Sequence, residues 1–393
     1  MSTGYGLWLL LLLPLAAYSG WWTARRSLQR TDMKSNGRKL PQEYIKGLNY
    51  VLNEQPDKAI EVFIKMLEVD SETIETHLAL GNLFRRRGEV DRAIRIHQNL
   101  IARPALDNEQ RSLALLELGT DYMRSGLLDR AEVLFQELVD SNQYTAQALG
   151  ELLDIYQQEK EWKNAINVAR RLEAVSGDRL DHEVAQFYCE LAELELNGAA
   201  EKEARNYIKR ALNTDPRCVR ASILEGRLEQ KQERYKAAIR AYKRVVKQDI
   251  EYLPEVIEQM LNCYRENGKL QECVDYLTEL VKDYSGVTPV LYLTGLIEES
   301  RGTDAAISYI SAQLKKRPTV RGVDKLVDYI LARADKELRD QIESVKELTD
   351  SLQEINSVYK CNQCGFDAIR LHWLCPSCKR WNTIKRVHGV TGE

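Results

Sequence analysis

The sequence predicts an all-α protein: a superhelix of stacked helix hairpins with one N-terminal transmembrane helix and a small C-terminal metal-binding ribbon. Small residues recur about every 34 residues, an apolar run lies near the N-terminus, and two Cys-x-x-Cys motifs lie near the C-terminus. The 393 residues are 44% hydrophobic and 29% charged, which excludes a disordered chain. The formal net charge is −3, so the chain lacks the strong positive charge that is typical of nucleic-acid-binding proteins, and we expect no nucleic-acid partner.

The apolar run Tyr5–Trp22 predicts a membrane anchor. As a helix, its roughly 18 residues would span about 27 Å, enough for a hydrocarbon core. A cleaved signal peptide is the alternative, with Ala17-Tyr18-Ser19 as a passable cleavage site. No Lys or Arg precedes the run, whereas four basic residues follow it between positions 25 and 34. This asymmetry favours an uncleaved anchor (residues 1–22) with a periplasmic N-terminus, followed by a cytoplasmic tether (residues 23–40) and a cytoplasmic body.

Residues 41–318 predict an array of helix hairpins. A small residue of the second helix recurs at intervals of 33–39 residues, at Ala59, Ala93, Ala131, Ala165, Ala204, Ala238, Cys273 and Ala306. This period is similar to that of tetratricopeptide repeats, in which a small residue lets two helices pack closely. The longest intervals predict loop insertions at Ala102–Gln110 and Ser176–Asp181. The first helices carry a matching small residue at Gly47, Gly81, Gly119, Ala192, Gly226 and Gly295.

Two further helices are predicted in residues 319–358, as capping helices of the array. They lack the small residues of the repeat, as expected of a terminal cap. Tyrosines and scattered cysteines of the array are expected to pack inside it, namely Tyr122, Tyr156, Tyr264, Cys189, Cys263 and Cys273. His77, His97 and His182 have no partner cluster in the sequence, so we expect no catalytic role for them.

Function in such an array is expected in the concave groove that the first helices line. Projection of the hairpin onto the sequence places polar and basic side chains on or near that surface: Tyr44, Asn82, Arg85, Arg86, Arg124, Arg227, Lys231, Asn262 and Arg265. Arg and Asn could hold a peptide backbone or a carboxylate there, because both offer several hydrogen-bond donors. The alternative for Arg85-Arg86-Arg87 is a solvated helix end, with cations facing the C-terminal dipole.

Residues 359–393 predict a metal-binding domain. Cys361, Cys364, Cys375 and Cys378 are paired in Cys-x-x-Cys spacing, so each tight turn carries two thiolates. Four thiolates make a tetrahedral site for one metal ion, with Zn favoured over Fe. A domain of about 30 residues needs such an ion to fold. We expect Trp373 beside the metal, and we expect the basic stretch at residues 379–388 to meet an acidic partner, an anionic lipid head group or the array.

The motifs Cys-x-x-Cys-Gly and Cys-Pro-x-Cys resemble those of rubredoxin, which keeps an iron centre for electron transfer open as an alternative. Structural zinc is favoured, because four protein thiolates leave no coordination position for water. The sequence has no P-loop, G-x-S-x-G, H-E-x-x-H or G-x-G-x-x-G motif. We therefore predict that the protein is not an enzyme.

The order of these parts resembles the lipopolysaccharide assembly protein B family. The similarity includes residues 81–84, 88–98 and 187–192, and Cys364-Gly365-Phe366 with Cys375-Pro376-Ser377-Cys378 and Trp381. The resemblance implies an inner-membrane adaptor or scaffold that regulates lipopolysaccharide biosynthesis. It implies three partners: the membrane protease FtsH, the committed-step lipid A deacetylase as client, and a lipopolysaccharide-sensing inner-membrane protein. A membrane-tethered rubredoxin-like redox protein and a general assembly platform for envelope-synthesis enzymes are the alternatives.

Overall fold

Consecutive α-helices followed by a three-stranded sheet form the described part of the protein. The computed structural model describes residues 42–69, 74–104, 106–198, 200–354, 358–390 and 392–393. The predicted anchor and tether lie outside these residues. Among the residues described, no helix combines the length and the apolar composition needed to cross a membrane. The predicted fold class is confirmed for the helical array and the four-cysteine ribbon.

The chain divides into two compact units between Glu151 and Leu152, within helix α7. The helices of the first unit are α1 (Gln42–Leu52), α2 (Pro56–Val69), α3 (Ile74–Arg86), α4 (Val90–Ile101), α5 (Asn108–Ser125), α6 (Leu128–Asp140) and the start of α7 (Thr145–Gln158). Consecutive helices pack against each other, as a repeat array requires.

The second unit continues the array and ends in the ribbon. Its helices are α8 (Trp162–Ser176), α9 (Asp181–Asn197), α10 (Glu201–Thr214), α11 (Val219–Lys231), α12 (Tyr235–Gln248), α13 (Ile257–Glu266), α14 (Leu270–Asp283), α15 (Thr288–Arg301), α16 (Thr303–Lys316), α17 (Val320–Leu331) and α18 (Lys336–Glu354). A 3₁₀ helix, Ile250–Glu255, joins α12 to α13. The loop insertion predicted at Ala102–Gln110 is confirmed in part, because residues 102–107 separate α4 from α5 and the helix already begins at Asn108. The insertion predicted at Ser176–Asp181 is wrong: the loop between α8 and α9 is no longer than the loop between α6 and α7, and the longer interval comes from longer helices.

The predicted small residues lie where paired helices touch. All eight, from Ala59 to Ala306, have no exposed area. In three hairpins an aromatic ring from the second helix lies directly on a glycine of the first. A Cβ atom on that glycine would lie 2.7 Å from Phe63 (Gly47), 2.6 Å from Phe135 (Gly119) or 2.3 Å from Tyr242 (Gly226). Glycine is required there because a side chain would displace the ring.

Gly295 does not occupy such a contact, and the prediction that it is a close-packing residue is wrong. No atom lies within 4 Å of a Cβ atom built on it. The residue four positions after Ala306 is Ile310, so no aromatic ring reaches across from α16 at that point.

The sheet has the strand order β2-β1-β3 and is antiparallel throughout. The strands are β1 (Tyr359–Cys361), β2 (Asp367–Ala368) and β3 (Ile384–Arg386). Tyr359 pairs with Ala368 on one side and with Arg386 on the other. Strands of two or three residues are too short to be stable alone, so the sheet needs the metal site and the array as support.

The glycine contact gives a stability prediction. Gly226→Ala should destabilise the α11–α12 hairpin by about 1–3 kcal/mol, because the new methyl group overlaps the fully buried Tyr242 ring. The measurement is hydrogen exchange in peptides from α11 and α12. Gly295→Ala is the matched control and should be neutral or stabilising by up to about 1 kcal/mol, since alanine favours a helix and nothing is displaced. Equal effects of the two substitutions would contradict the packing assignment.

Candidate functional site

Two equivalent turns present the four cysteines of the ribbon. In the first, the N–H of Gly365 donates to the carbonyl of Cys361 at 2.9 Å, and in the second the N–H of Lys379 donates to Cys375 at 3.0 Å. Both residues have positive φ, +77° at Gly365 and +57° at Lys379. Gly365 adopts this conformation without steric cost, whereas Lys379 does so because the turn holds it there.

The four thiol groups meet at one point. Their Sγ atoms all lie within 4.8 Å of one another. The Sγ atoms of Cys361 and Cys378 are 3.8 Å apart, and those of Cys364 and Cys375 are 3.7 Å apart. Tetrahedral coordination with Zn–S bonds of about 2.3 Å requires sulfur atoms roughly 3.8 Å apart. These two distances suit one metal ion, and the all-sulfur donor set suits Zn and Fe alike.

The surroundings of the thiols favour ionisation at some positions and oppose it at others. Burial raises the pKa of Cys375 to about 11. At Cys361 burial acts in the same direction, but the hydrogen bond between its Sγ atom and the Thr383 hydroxyl and hydrogen bonds from the backbone N–H groups of Cys364 and Gln363 outweigh it and lower the pKa to about 6. The backbone N–H of Phe366 also lowers the pKa of Cys364. A bound cation would supply the remaining driving force for deprotonation, so metal binding releases protons here.

An aromatic contact fixes the ribbon to the second unit of the array. The indole of Trp381 lies edge-on to Trp162, with ring centroids 6.2 Å apart, and to Phe187, at 6.0 Å. Its Nε1–H donates to Oε1 of Gln157 at 3.1 Å, so the polar atom of this buried ring is satisfied. The contact joins α7, α8 and α9 to the turn that follows Cys378.

A buried arginine lies close to two indole rings of the ribbon. The Arg220 guanidinium is 5.7 Å from the ring centroid of Trp373 and 5.9 Å from that of Trp381. Glu190 and Glu193 pair with it at 2.8 and 3.0 Å. Burial opposes the charge, but the two carboxylates keep the pKa of Arg220 above its ordinary value. Trp373 itself stacks on Tyr252, at 5.4 Å and 20°, so this ring packs against the array.

The basic stretch of the ribbon meets an acidic segment of the array, which was one of the three predicted outcomes. Nε of Arg386 lies 2.8 Å from Oε1 of Glu255, and the Tyr359 hydroxyl donates to the same oxygen at 2.7 Å. Lys385 pairs with Asp249, and His388 pairs with Glu251. This acidic 3₁₀ segment was not predicted from the sequence. The alternation of Asp249, Glu251 and Glu255 with apolar residues was the available signal.

Two predicted groove residues of the first unit have partners inside the protein. Nη1 of Arg85 lies 2.8 Å from Oδ1 of the buried Asp121, and its Nη2 atom lies 2.6 Å from Glu117. The same Nη2 donates to Oδ1 of Asn82 at 2.8 Å. Although burial opposes it, these carboxylates raise the pKa of Arg85. Arg85 and Asn82 therefore join α3 to α5, and their predicted contact with a partner stays a prediction.

His97 belongs to the same buried group, so the expectation that it lacks a partner cluster is wrong. It has no exposed area, and its Nδ1 atom lies 2.6 Å from Oδ2 of Asp121. A Cβ atom on Gly81 would lie 2.3 Å from Nε2 of His97. His97 thus takes the place that Phe63, Phe135 or Tyr242 takes in other hairpins. Its ring leaves no space for a substrate at Nε2, which supports a packing role.

Of the other predicted groove residues, Tyr44 is half-buried and the rest are exposed: Arg86, Arg124, Arg227, Lys231, Asn262 and Arg265. Arg265 pairs with Glu299 at 2.5 Å. Arg227 lines a cavity of about 300 Å³ between α9 and α11, beside Leu196, Leu224 and Lys231. The structure thus brings Arg227 to a concave surface. The expected burial of the tyrosines and array cysteines is confirmed.

The metal centre gives a second prediction. Cys378→Ser should abolish metal binding and the hydrogen-exchange protection of residues 358–390, because one thiolate of four is lost. Metal analysis and exchange mass spectrometry would measure this, while the helical circular dichroism signal should persist. Cys273→Ala is the matched control: it removes a buried thiol at a position where the other repeats have alanine, and should leave one metal ion per chain. Stoichiometric metal in Cys378→Ser would contradict the assignment.

The aromatic contact gives a third prediction. Trp381→Ala should weaken docking of the ribbon by about 3–5 kcal/mol, because a buried indole is lost. Limited proteolysis within residues 358–390 should become faster while the metal is retained. Ile369→Ala is the control: it changes a ribbon side chain that is 87% exposed, and this variant should be cleaved at the same rate as the unaltered protein. Arg220→Met changes only the array side of the contact and should also make proteolysis of the ribbon faster. Unchanged proteolysis in both Trp381→Ala and Arg220→Met would contradict the assigned contact.

Family models match both parts of this architecture. The family model of the rubredoxin metal binding domain matches residues 359–386. Tetratricopeptide repeat models match residues 76–112, 116–179 and 191–252. Among solved structures, the C-terminal part of a TPR repeat-containing protein from Cytophaga hutchinsonii is 14% identical, with a TM-score of 0.38, and the match covers 68% of this chain and 94% of that one.

Two curated relatives match nearly the whole chain. Lipopolysaccharide assembly protein B of Escherichia coli (strain K12) is 40% identical over 385 residues, which cover 98% of this chain and 99% of that protein. The protein of the same name from Haemophilus influenzae is 37% identical over 390 residues, covering 96% and 98%. The chain therefore belongs to the lipopolysaccharide assembly protein B family.

Proposed function

We propose that the protein is an inner-membrane adaptor that regulates lipopolysaccharide biosynthesis by promoting proteolysis of the committed-step lipid A deacetylase by FtsH. Family membership supports a role in lipopolysaccharide assembly. The observation that carries the adaptor role is the docking of the ribbon on the array through Trp381, Arg220 and Arg386. These contacts make the metal centre part of a scaffold, and they leave exposed side chains of the first helices for partners.

The chemistry of the metal centre supports a structural role in this proposal. Four protein thiolates complete a tetrahedral shell, so no position is left at which the metal could activate water. The protein is accordingly proposed to act by binding and not as an enzyme. A bound zinc ion would hold the two turns together and thereby present Trp373 and Trp381 to the array.

The cavity at Arg227 is the proposed contact for a client or for the protease. Its lining combines Leu196, Leu224 and Leu228 with the polar residues Asn197, Arg227, Lys231 and Glu193. The Glu193 carboxylate already pairs with Arg220, at 3.0 Å. Lys231 pairs with Glu201 at 3.1 Å, whereas Arg227 has no ion pair recorded within the described chain. An exposed peptide segment with one apolar side chain and a carboxylate would fit this combination. The predicted anchor would hold the array at the bilayer and raise its effective concentration near membrane partners, including a lipopolysaccharide-sensing protein.

A redox protein is the second candidate function, and one observation favours it. Cys364 is exposed although the other three thiols are partly or fully buried. An exposed sulfur ligand would give an iron centre a route for electron transfer. Purification of the protein without added metal distinguishes the adaptor with a structural zinc site from the redox protein. Zinc content and no visible absorbance support the structural site, whereas a coloured iron centre that is reduced reversibly supports the redox protein.

The adaptor proposal gives a fourth prediction. Depletion of the protein should lengthen the half-life of the lipid A deacetylase severalfold, as measured by a translation-block chase. Wild type and Arg217→Glu should restore rapid turnover, whereas Arg227→Glu should restore less, because only Arg227 lines the cavity. Arg217 is a suitable control since it is exposed and gives the same charge change. An unchanged half-life after depletion, with stable partners recovered by cross-linking, would favour the general assembly platform instead.

A further inference from the structure

A second cavity lies in the last repeats of the array. It has a volume of about 370 Å³. Its walls come from the end of α14, from α16 and from the start of α17. The segment Tyr284–Val287 and Val290 of α15 close one side. Binding pockets for small molecules commonly have volumes of about 300–1,000 Å³, so this cavity is of a size that takes a small ligand or one chain of a larger one.

The lining is apolar inside and cationic at the mouth. Aliphatic side chains of Val281, Val287, Val290, Ile310 and Leu314 form the wall, together with the ring of Tyr309. The charged residues of the lining are Lys282, Lys316 and Arg317, and no Asp or Glu is among the residues described there. This combination matches an alkyl chain that ends in an anion.

The cations at the mouth differ in how far they are already neutralised. Lys282 pairs with Glu279 at 2.7 Å, so its charge is largely offset. Nη1 of Arg317 donates to the carbonyl of Tyr284 at 2.9 Å, which orients the side chain without neutralising it. Lys316 is exposed, and no ion pair is recorded for it among the described residues. The mouth therefore keeps a positive charge on two adjacent residues.

One wall of the cavity also holds the end of the ribbon. Thr288, directly after Val287, donates its backbone N–H to Glu393 at 3.1 Å, and Arg321 pairs with the same carboxylate at 2.8 Å. On the same side the Tyr284 ring lies edge-on to His388, with centroids 6.1 Å apart. Because Arg321 and Arg386 neutralise Glu393, this carboxylate does not cancel the charge at the cavity mouth. A ligand in the cavity would touch the segment that anchors the ribbon.

We propose that this cavity binds the alkyl chain of a single-chain anionic amphiphile, with its carboxylate or phosphate head group at Lys316 and Arg317. The chain would replace water along the aliphatic wall, and this burial of apolar surface is the main favourable contribution. The head group would gain from two cations at the rim, which selects anionic over neutral amphiphiles. The volume suits one chain, so a two-chain lipid fits poorly.

Photo-crosslinking of the full-length protein in native membranes tests the proposal. The probe is hexadecanoate carrying a diazirine in its chain and an alkyne for enrichment, and peptides with adducts are identified by mass spectrometry. Adducts should appear in peptides that contain Val290 or Tyr309. Unlabelled hexadecanoate should compete for labelling, and hexadecanol should compete at least tenfold less well, because it lacks the charge.

Two adjacent lysines provide the matched variants. Lys316→Glu should reduce labelling of the cavity peptides about tenfold, which corresponds to 1.4 kcal/mol of binding free energy. Lys315→Glu makes the same charge change at an exposed residue that does not line the cavity. The probe should label this variant as strongly as the unaltered protein. An unchanged helical circular dichroism signal and unchanged thermal unfolding show that the array is folded in both variants. Labelling only outside the cavity, equal competition by hexadecanol, equal effects of the two variants, or labelling only by a two-chain phospholipid probe would overturn the proposal.

Discussion

The close contact between paired helices is the constraint on which the rest of this structure depends. A helix hairpin cannot bury its apolar face alone, so each one must pack on the next. The contact is tightest where a ring lies on a glycine, as Tyr242 does on Gly226. Fully buried Ala or Cys residues keep each second helix close to its partner throughout the array. This repeated packing creates the fixed surface on which a small ribbon can be held.

The ribbon and the array support each other. A domain of about 30 residues with strands of two or three residues has too little core to be stable alone. Metal coordination would close its two turns, which carry Trp373 and Trp381 against the array near Arg220. A bound ion would stabilise the folded ribbon that makes these contacts, and metal binding would then be thermodynamically linked to docking.

Several of the most conspicuous charges serve the interior of the protein. Arg85 holds Asp121 and Glu117, Arg220 holds Glu190 and Glu193, and Arg386 holds Glu255. A buried charge is stable only with such partners, since removal from water is costly. The same physics explains why His97 could replace an aromatic ring: Asp121 satisfies the nitrogen that faces it. Arg227 and Lys316 have no such ion pair among the described residues, and both proposed binding sites use them.

The sequence by itself determined what is periodic or local. The spacing of the small residues predicted the array, and two Cys-x-x-Cys turns predicted the four ligands, because a turn of four residues fixes their geometry. Gly295 shows the limit of the pattern, since a small residue does not reveal whether a ring faces it. Only the tertiary structure decided where the ribbon docks and which arginines form ion pairs inside the protein. Trp381 meets Gln157 and Trp162 across more than two hundred residues of chain, and Arg85 meets Asp121 across a hairpin. Such pairings depend on how successive hairpins stack, and no local pattern in the chain encodes that arrangement.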